Sequence, residues 1–505
     1  MLAFGVRNRL TAHREHIRRR RYRLAVNATA AAALASVVFV VALAALTSEP
    51  SRRLAADVDA IIDNGPHANA FWGVYIRDTE SGTVLYERNA DRPLMPASNQ
   101  KLLTVATALH TLGSDYSYRT PLLFAGVIQG GVMRGDLVVV GSGDPTFGSR
   151  SNAQDAPDPL DLWVKTIAEL GVTRIEGRII GDDNVSDDES YGDGWDVAHI
   201  GRYGFAAPIG GIVYRDNLVE VEVQGFQPGR APRVLDEPPG YLLITNEVQT
   251  SASRWSRRLN VARPLGTESL RLSGLVSRRF RGDLEIPVSD PTRFVLSVFR
   301  NRLQSAGIEV VSELVDIDDL AEASRFIAAD TLHVFESEPL GAILRRINKE
   351  SDNLFAESVF RTFGWGGSSS GGERRVKSLL EDLGIDDTGL SVRDGSGLSR
   401  KDLVTPRILG DLLYEMRGHP EADAFTNSLA QSGEQQTTLE RRLSSYNVWA
   451  KTGSLEFVRS LSGYIRTQDG RMLAFTILVN NYPTSSSRVR LAIDEVVSAI
   501  ANSTG

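Results

Sequence analysis

The sequence predicts an α+β protein of more than one domain, preceded by a membrane-spanning segment. With 505 residues, the chain is too long for one ordinary domain. Helix-like and strand-like patterns are mixed in residues 50–118 and again in residues 338–505, whereas residues 119–337 contain short strand-like runs between Gly-rich turns. We therefore expect the two outer segments to form one domain, interrupted by a β-rich insertion of two small domains.

The N-terminus predicts export. Residues 1–23 contain eight arginines and a single acid, and residues 24–46 contain no charge. At about 1.5 Å per residue, this apolar run is long enough to cross a hydrocarbon core of roughly 30 Å. The arginine excess predicts a cytoplasmic N-terminus and an extracytoplasmic remainder. An uncleaved anchor helix is one reading, and a signal peptide cleaved near Ala42-Leu43-Ala44 is the other.

Charge and composition exclude several classes of protein. The whole chain has a formal charge of −7, and because residues 1–23 carry a net +7, residues 24–505 carry −14. An acidic exported part argues against nucleic-acid binding and against adhesion to an anionic membrane, so we expect membrane contact through the N-terminal segment only. The absence of cysteine excludes disulfides and a thiol nucleophile. The seven histidines have no metal-like spacing and no phosphate-binding loop is present, so we expect neither metal nor cofactor.

Local patterns predict the elements in order. The first outer segment contains a helix, a hairpin of two strands and a second helix, at residues 52–64, 71–78, 83–88 and 96–113. The insertion contains strands at residues 122–128, 136–141, 174–181 and 217–224, with a helix at 158–170.

The second outer segment begins with a helical pattern over residues 340–363, followed by a flexible Gly/Ser loop at 364–372. Further helices are predicted at residues 376–383, 406–417 and 489–501, and strands at 448–450, 461–466 and 472–480.

Lysine usage points to a chemical role. Only six of the 56 basic residues are lysines, and Lys101 follows Ser98 by three residues, a spacing that puts both on one helix face. A neutral lysine can take the proton of a serine hydroxyl, which arginine cannot. Lowering a lysine pKa from about 10.4 to about 7 costs roughly 4 to 5 kcal/mol, and burial beside a second cation such as Lys451 would supply this. Alone, the pattern is weak, but no other lysine here has it.

A second polar motif is Ser351-Asp352-Asn353. Its hydroxyl can pass protons, and its amide can bind a substrate carbonyl. The same residue types also favour helix caps and loops, which is the alternative reading.

A third motif is Lys451-Thr452-Gly453-Ser454, on a predicted strand into which residues 448–450 lead. Thr452 and Ser454 can hold a carboxylate in the positive field of Lys451, and the glycine permits close approach of a ligand backbone. A simple strand-end turn is the alternative. Ser-x-x-Lys, Ser-Asp-Asn and Lys-Thr-Gly are known together as one catalytic set, so their joint occurrence in this order is a much stronger signal.

On these residues the chain resembles the D-alanyl-D-alanine carboxypeptidase/endopeptidase family of class C low-molecular-weight penicillin-binding proteins. The resemblance extends over about residues 53–500 and is strongest in six segments: PASNQKLLT, GSGDPTF, SDNLFAE, DGSGLSR, AKTGSLE and LSGYI. It implies a β-lactamase/transpeptidase-like domain, an antiparallel sheet flanked by helices, with a large insertion between the first and second motifs.

The resemblance also implies roles. Ser98 would be the acylated nucleophile and Lys101 its base, with Ser351 and Asn353 as the second-motif pair. The third motif would consist of Lys451, Thr452 and Gly453, and the N–H groups of Ser98 and Ser454 would bind the oxyanion. Ser454 stands where the family usually has threonine, and residues 434–439 replace a usual Gly-Thr-Leu.

The implied function is a serine DD-peptidase of the bacterial cell envelope, acting on the D-Ala-D-Ala end or the D-amino-acid cross-links of peptidoglycan stem peptides. It would need no cofactor, and β-lactam antibiotics would acylate it. Two rivals remain at this stage. One is a β-lactamase on the same fold, and the other is a catalytically silent scaffold that binds the cell wall.

Overall fold

The computed structural model describes residues 52–150, 157–311, 313–321, 326 and 329–504. Its helices are α1 (residues 52–63), α2 (Gln100–Leu112), α3 (Pro159–Glu169), α4 (Pro291–Ser305), α5 (Leu340–Lys349), α6 (Asn353–Phe363), α7 (Ser369–Asp382), α8 (Pro406–Met416), α9 (Ala422–Ser428) and α10 (Ser486–Asn502). None of these helices is long and apolar enough to cross a membrane. The predicted span at residues 24–46 lies outside the described residues.

The strands are β1 (Phe71–Asp78), β2 (Val84–Arg88), β3 (Arg119–Gln129), β4 (Val132–Val140), β5 (Arg174–Glu176), β6 (Ile179–Asp182), β7 (Leu218–Gln224), β8 (Arg233–Glu237), β9 (Leu243–Ser251), β10 (Arg257–Ala262), β11 (Ser269–Ser277), β12 (Arg281–Pro287), β13 (Glu309–Val311), β14 (Leu314–Asp316), β15 (Asp330–Glu336), β16 (Ala430–Gln431), β17 (Asn447–Leu455), β18 (Val458–Arg466) and β19 (Met472–Asn480).

The central sheet joins the two ends of the chain. Its six strands run in the order β16-β17-β18-β19-β1-β2, and every neighbouring pair is antiparallel. Strand β1 pairs along its full length with β19, from Phe71 opposite Asn480 to Asp78 opposite Leu473. Residues on both sides of the insertion therefore build one sheet.

Helices cover both faces of this sheet. On one face α1 and α10 supply apolar side chains such as Val58 and Val496, which pack on Phe475 and its neighbours. On the other face α2 lies among α5, α6, α7, α8 and α9. Every residue of α2 from Gln100 to Leu109 is buried, so this helix is enclosed on all sides rather than half-exposed.

The insertion contains three sheets. A seven-stranded mixed sheet has the order β13-β5-β4-β3-β15, extended by β6 and β14, while two three-stranded sheets have the orders β10-β11-β9 and β12-β7-β8. Helices α3 and α4 pack against them in a shared apolar core around Trp163, Phe294 and Phe299. Strand β3 follows α2, β15 leads into α5, and β3 pairs with β15, so the insertion leaves and rejoins the rest of the chain at neighbouring places.

The structure corrects two predictions and adds a helix that was not predicted. The helix predicted over residues 340–363 is wrong, because the chain breaks at Ser351, whose φ is +70°, and forms α5 and α6. The strand predicted at residues 174–181 is two strands, β5 and β6, separated at Gly177 with φ +150°. Helix α4 was missed, although Asp290 caps it and Pro291 occupies its first turn, both of which are start signals.

The Gly/Ser loop predicted at residues 364–372 is also shorter than expected, since α7 already begins at Ser369. The Ser368 hydroxyl caps it by accepting a hydrogen bond from the N–H of Gly371. Glycine is needed there because a Cβ on Gly371 would lie 2.2 Å from the Trp365 carbonyl oxygen. Close packing, rather than chain flexibility, accounts for glycine at this position.

Candidate active site

Ser98 lies where a short 3₁₀ turn, Ala97–Asn99, meets the N-terminus of α2. The turn is fixed from the side of the sheet: the Asn99 side chain donates to the Lys451 carbonyl oxygen at 2.8 Å and accepts from the Ser462 hydroxyl at 2.6 Å. Gly453 allows this approach, because a Cβ there would lie 2.8 Å from the Pro96 carbonyl oxygen and 3.1 Å from the Ser98 nitrogen. The serine is thereby held directly against β17.

Lys101 lies beneath Ser98 and is fully buried. Its Nζ is 3.2 Å from Ser98 Oγ, 2.6 Å from Asn353 Oδ1 and 2.7 Å from the Ser396 carbonyl oxygen. The last two atoms only accept hydrogen bonds, so they engage both N–H groups of a neutral amine. The lone pair of the neutral amine then faces the Ser98 hydroxyl, which is the geometry a general base requires.

Burial lowers the pKa of Lys101 to about 8, although nearby carboxylates, that of Asp394 first, act in the opposite direction. Burial also lowers the pKa of Lys451 well below its usual value, and the proximity of Lys101 lowers it further. We predicted that burial and the nearby cation of Lys451 would together lower the pKa of Lys101. Burial is the largest cause for both lysines, and the strongest charge effects on Lys101 come from carboxylates, which raise its pKa.

A buried loop after residue 393 positions the acceptor for Lys101. The carboxylate of Glu357 accepts from the backbone N–H groups of Gly395 and Ser396. The carboxylate of Asp394 accepts from the N–H groups of Gly397 and Ser399, both at 2.7 Å. These bonds turn the Ser396 carbonyl toward Lys101.

Burial raises the pKa of Glu357 to about 7 and also raises that of the neighbouring Asp402. Glu357 and Asp394 lie in the SDNLFAE and DGSGLSR segments that resemble the family, but no role was predicted for either carboxylate. The signal was present, since Glu357 follows Asn353 by four residues and shares its helix face.

The second motif occupies the break between α5 and α6. Asp352 caps α6 by accepting from the Phe355 N–H at 3.0 Å, so the alternative reading of this motif as a helix cap holds for its middle residue. Ser351 and Asn353 instead face the cleft, where Ser351 Oγ accepts from Lys451 Nζ at 2.9 Å. The positive φ of Ser351 aims its hydroxyl there.

The third motif lies within β17, which agrees with its predicted position on a strand. Side chains alternate along a strand, so Lys451 and Gly453 are buried, while Thr452 and Ser454 face the opposite way and line the cleft. Strand β16 pairs with Trp449 and Ala450 alone. Within the described part of the chain, residues 451–455 therefore have no neighbouring strand on that side, and an extended peptide can pair there.

These motifs meet in one cleft of about 790 Å³. Of the predicted site residues, six line it: Ser98, Ser351, Asn353, Thr452, Gly453 and Ser454. The two lysines lie beneath its floor. The cleft wall also contains charged and aromatic residues that sequence reasoning did not select: Asp196, His199, Phe205, Arg400, Glu456 and Arg459.

The insertion contributes directly to the site. The Phe205 carbonyl oxygen accepts from Asn353 Nδ2 at 2.8 Å, which fixes the orientation of the amide and directs Oδ1 to Lys101. The Trp195 indole N–H donates to Asp394 at 2.8 Å. No sequence signal marks these partners, because they are 148 and 199 residues away along the chain.

One cluster of acidic side chains lies away from this cleft. Asp183, Asp316 and Asp318 have carboxylate oxygens within 4.8 Å of one another and lie along a separate cavity in the insertion. Burial raises the pKa of Asp316 to about 6. Three close carboxylates alone do not define a metal site, and the expectation that no metal takes part stays a prediction.

The strained backbone of Ser351 gives a testable pair of variants. Ser351→Gly and Ser351→Ala both remove the hydroxyl, but only glycine relieves the positive φ. In urea titrations, we expect the free energy of unfolding of Ser351→Gly to exceed that of Ser351→Ala by about 1 kcal/mol. Both variants should react slowly with benzylpenicillin, because both lack the hydroxyl. Equal stability of the two variants would show that this residue stores no strain.

The chain is similar in sequence to proteins of a known peptidase family. A model of the D-Ala-D-Ala carboxypeptidase 3 (S13) family matches residues 54–502. A D-alanyl-D-alanine carboxypeptidase from an Actinomadura species is 31% identical over 478 residues, covering 90% of this chain and 86% of that protein. A D-alanyl-D-alanine carboxypeptidase from Haemophilus influenzae is 24% identical over 431 residues, covering 82% of this chain and 86% of that protein.

Solved structures confirm the fold. Crystalline penicillin-binding protein 4 from Haemophilus influenzae superposes with a TM-score of 0.74 at 23% identity, covering 88% of this chain and 99% of that chain. The same protein complexed with a β-lactam superposes with a TM-score of 0.70 at 24% identity, covering 89% and 99%. The shared fold is the mixed, transpeptidase-like one. From the family match and the Actinomadura relative, the chain belongs to the D-Ala-D-Ala carboxypeptidase 3 (S13) family of serine peptidases.

Proposed function

We propose that this chain is a penicillin-binding serine DD-peptidase that hydrolyses the terminal D-Ala-D-Ala bond, D-amino-acid cross-links, or both, in peptidoglycan. Membership of the family supports the reaction class. The observation that carries the proposal is the contact between Lys101 Nζ and Ser98 Oγ at 3.2 Å, with two pure acceptors engaging the remaining amine protons.

In acylation, Ser98 Oγ attacks the carbonyl carbon of the penultimate D-Ala as its proton passes to Lys101 Nζ. The negative charge that develops on the carbonyl oxygen is stabilised by the N–H groups of Ser98 and Ser454. The N-terminus of α2 adds positive potential beside the first of these groups.

The leaving D-Ala amine then needs a proton. Ser351 Oγ is suited to deliver one and to take a replacement proton from Lys451 Nζ, which donates to it at 2.9 Å. Thr452 and Ser454 hold the terminal carboxylate of the substrate near Lys451, and their hydroxyls face the cleft. Water then attacks the acyl-enzyme, and the proton movements reverse to free Ser98.

The arrangement of the chain is part of the proposal. Residues 50–118 and 338–505 would form the catalytic domain, and residues 119–337 an insertion of two small domains, one on the seven-stranded sheet and the other on the three-stranded sheets. Residues 24–46 would anchor this extracytoplasmic part in the inner (cytoplasmic) membrane of the bacterial envelope, as their charge-free length suggests.

The proposal predicts covalent capture of a β-lactam. Benzylpenicillin added to the protein should increase its intact mass by one drug equivalent, because Ser98 opens the ring and the ester persists. Ser98→Ala should show no adduct, and Ser81→Ala, an exposed serine in the β1–β2 turn, should react normally. A transient adduct with rapid drug hydrolysis would indicate a β-lactamase, and no adduct would indicate a silent scaffold.

The base assignment predicts a pH profile. Because only neutral Lys101 accepts the Ser98 proton and its pKa is about 8, the acylation rate should rise with pH to a plateau above 8. At pH 6 it should be on the order of 100-fold below the plateau.

Lys101→Arg should reduce the rate at least about 100-fold at every pH, since arginine stays protonated. Lys165→Arg, an exposed change on α3, is the matched control and should behave as wild type. A pH-independent acylation rate in the wild-type enzyme would contradict the assignment even if Lys101→Arg failed to fold.

A further inference from the structure

One end of the insertion concentrates positive charge. Three chain segments meet there, residues 225–233, 250–258 and 276–282, which together we call the arginine tip. Backbone hydrogen bonds join them: the Gly225 N–H donates to the Phe280 carbonyl, and the Ser277 N–H to the Ser256 carbonyl, at 2.9 and 2.7 Å. The Thr250 N–H donates to a carbonyl of the first segment at 2.9 Å.

Strand register places the tip at the same end of both three-stranded sheets. In one sheet Gln224 of β7 lies opposite Arg281 of β12 and Arg233 of β8. In the other, Val276 of β11 lies opposite Arg257 of β10. The loops that continue from these positions therefore project together.

The charged side chains of the arginine tip are all positive. Its 25 residues contain eight arginines and no aspartate or glutamate. All eight are exposed: Arg230, Arg233, Arg254, Arg257, Arg258, Arg278, Arg279 and Arg281. Among the described residues only Arg281 has an ion-pair partner, Glu222 at 3.5 Å. The net charge of −14 on residues 24–505 conceals this reversal, so the sequence argument against an anionic membrane was too coarse for this surface.

Aromatic side chains accompany the arginines. Trp255 is 75% exposed, with the Arg254 guanidinium 4.6 Å from the centre of its ring. Phe226 is 39% exposed, with Arg233 at 5.0 Å. The other neighbours of the tryptophan along the chain are small and uncharged: Ala252, Ser253 and Ser256. Transfer of such a large exposed aromatic ring from water to an apolar layer lowers the free energy.

We propose that the arginine tip binds the surface of a membrane rich in anionic phospholipid. Guanidinium groups pair with lipid phosphates in two-point contacts, and tryptophan favours the boundary between headgroups and acyl chains. Positive charge alone would suit any polyanion, but a soluble phosphate polymer offers no apolar layer for Trp255. The combination favours lipid. This surface lies outside the catalytic cleft and does not depend on the peptidase proposal.

The absence of cysteine makes the test direct. Ser253→Cys carries a fluorophore at the tip, and Ser81→Cys carries the same fluorophore in the distant β1–β2 turn. The full chain is reconstituted into vesicles of zwitterionic lipid or of zwitterionic lipid mixed with phosphatidylglycerol, both containing a lipid spin-labelled near the headgroup. We expect strong quenching at position 253 in the anionic vesicles only, lost in high salt, and weak quenching at position 81 in both.

A second set of variants separates charge from position. The triple change Arg254→Ser, Arg278→Ser and Arg279→Ser removes three tip charges, and at about fivefold in surface affinity per arginine it should abolish the quenching. The matched triple Arg466→Ser, Arg488→Ser and Arg490→Ser removes exposed arginines of the catalytic part and should retain it. Both triples should form the benzylpenicillin adduct at the wild-type rate, which reports folding.

Several outcomes would overturn the proposal. Equal quenching at position 253 in the two vesicle types, or quenching that survives the tip triple, would exclude recognition of anionic lipid by these arginines. No quenching in anionic vesicles, together with a rise in fluorophore anisotropy on adding poly(glycerol phosphate), would assign the tip to a wall polymer instead. Failure to form the penicillin adduct while quenching persists would contradict the peptidase proposal alone.

Discussion

Two lysine side chains are completely buried beneath Ser98, and the rest of the site is organised around them. Burial lowers the pKa of Lys101 from its usual 10.5 to about 8, a shift equivalent to about 3 kcal/mol. Because the unfolded chain holds this proton more tightly, the shift opposes folding fully below pH 8. The penalty disappears as the pH rises through 10.5. The fold therefore maintains a destabilising group, as active sites commonly do.

Several parts of the fold hold the lysines in place. Helix α2 is enclosed on all sides, which keeps water from Lys101, and the loop bonded to Glu357 and Asp394 presents a carbonyl oxygen to its amine. Residues of the insertion also contact the second motif and its neighbours. Phe205 orients Asn353, and Arg346 of α5 bonds both to Asp352 beside the second motif and to Ser149 and Asp216 of the insertion.

The contacts of Arg346 join the insertion to the rest of the chain. Arg346 is nearly enclosed, and its cation also lies 3.8 Å from the ring of Phe355. The guanidinium pairs with Asp216 of the insertion at 3.3 Å and with Asp352 at 2.8 Å, so one largely buried cation joins carboxylates of both parts of the chain. The insertion and the part of the chain that contains Ser351 have separate sheets, but Arg346 connects them through Asp216 and Asp352.

The sequence predicted much of this and missed the rest for identifiable reasons. Strands β1 and β19 had the predicted bounds, because regular apolar runs end at clear turn residues. The break at Ser351 was missed because apolar spacing continues across it and only two residues, Ser351 and Asp352, leave the helical conformation. Phe205 and Trp195 could not be found, since a backbone carbonyl leaves no residue signature and the tryptophan partner is distant in sequence. Glu357 was visible on the right helix face, but a buried carboxylate bonded to backbone has no motif.

The most direct test of the account is the protonation state of the two buried lysines. With only six lysines in the chain, ¹⁵N-labelled lysine gives a spectrum in which each Nζ can be assigned by single Lys→Arg changes. We expect the pKa of Lys101 to be about 8 and the pKa of Lys451 to lie well below its usual value, because both side chains are buried. If both buried lysines remained protonated up to about pH 10, Lys101 could not accept the proton of Ser98 at lower pH. This result would contradict the proposal that Lys101 is the base.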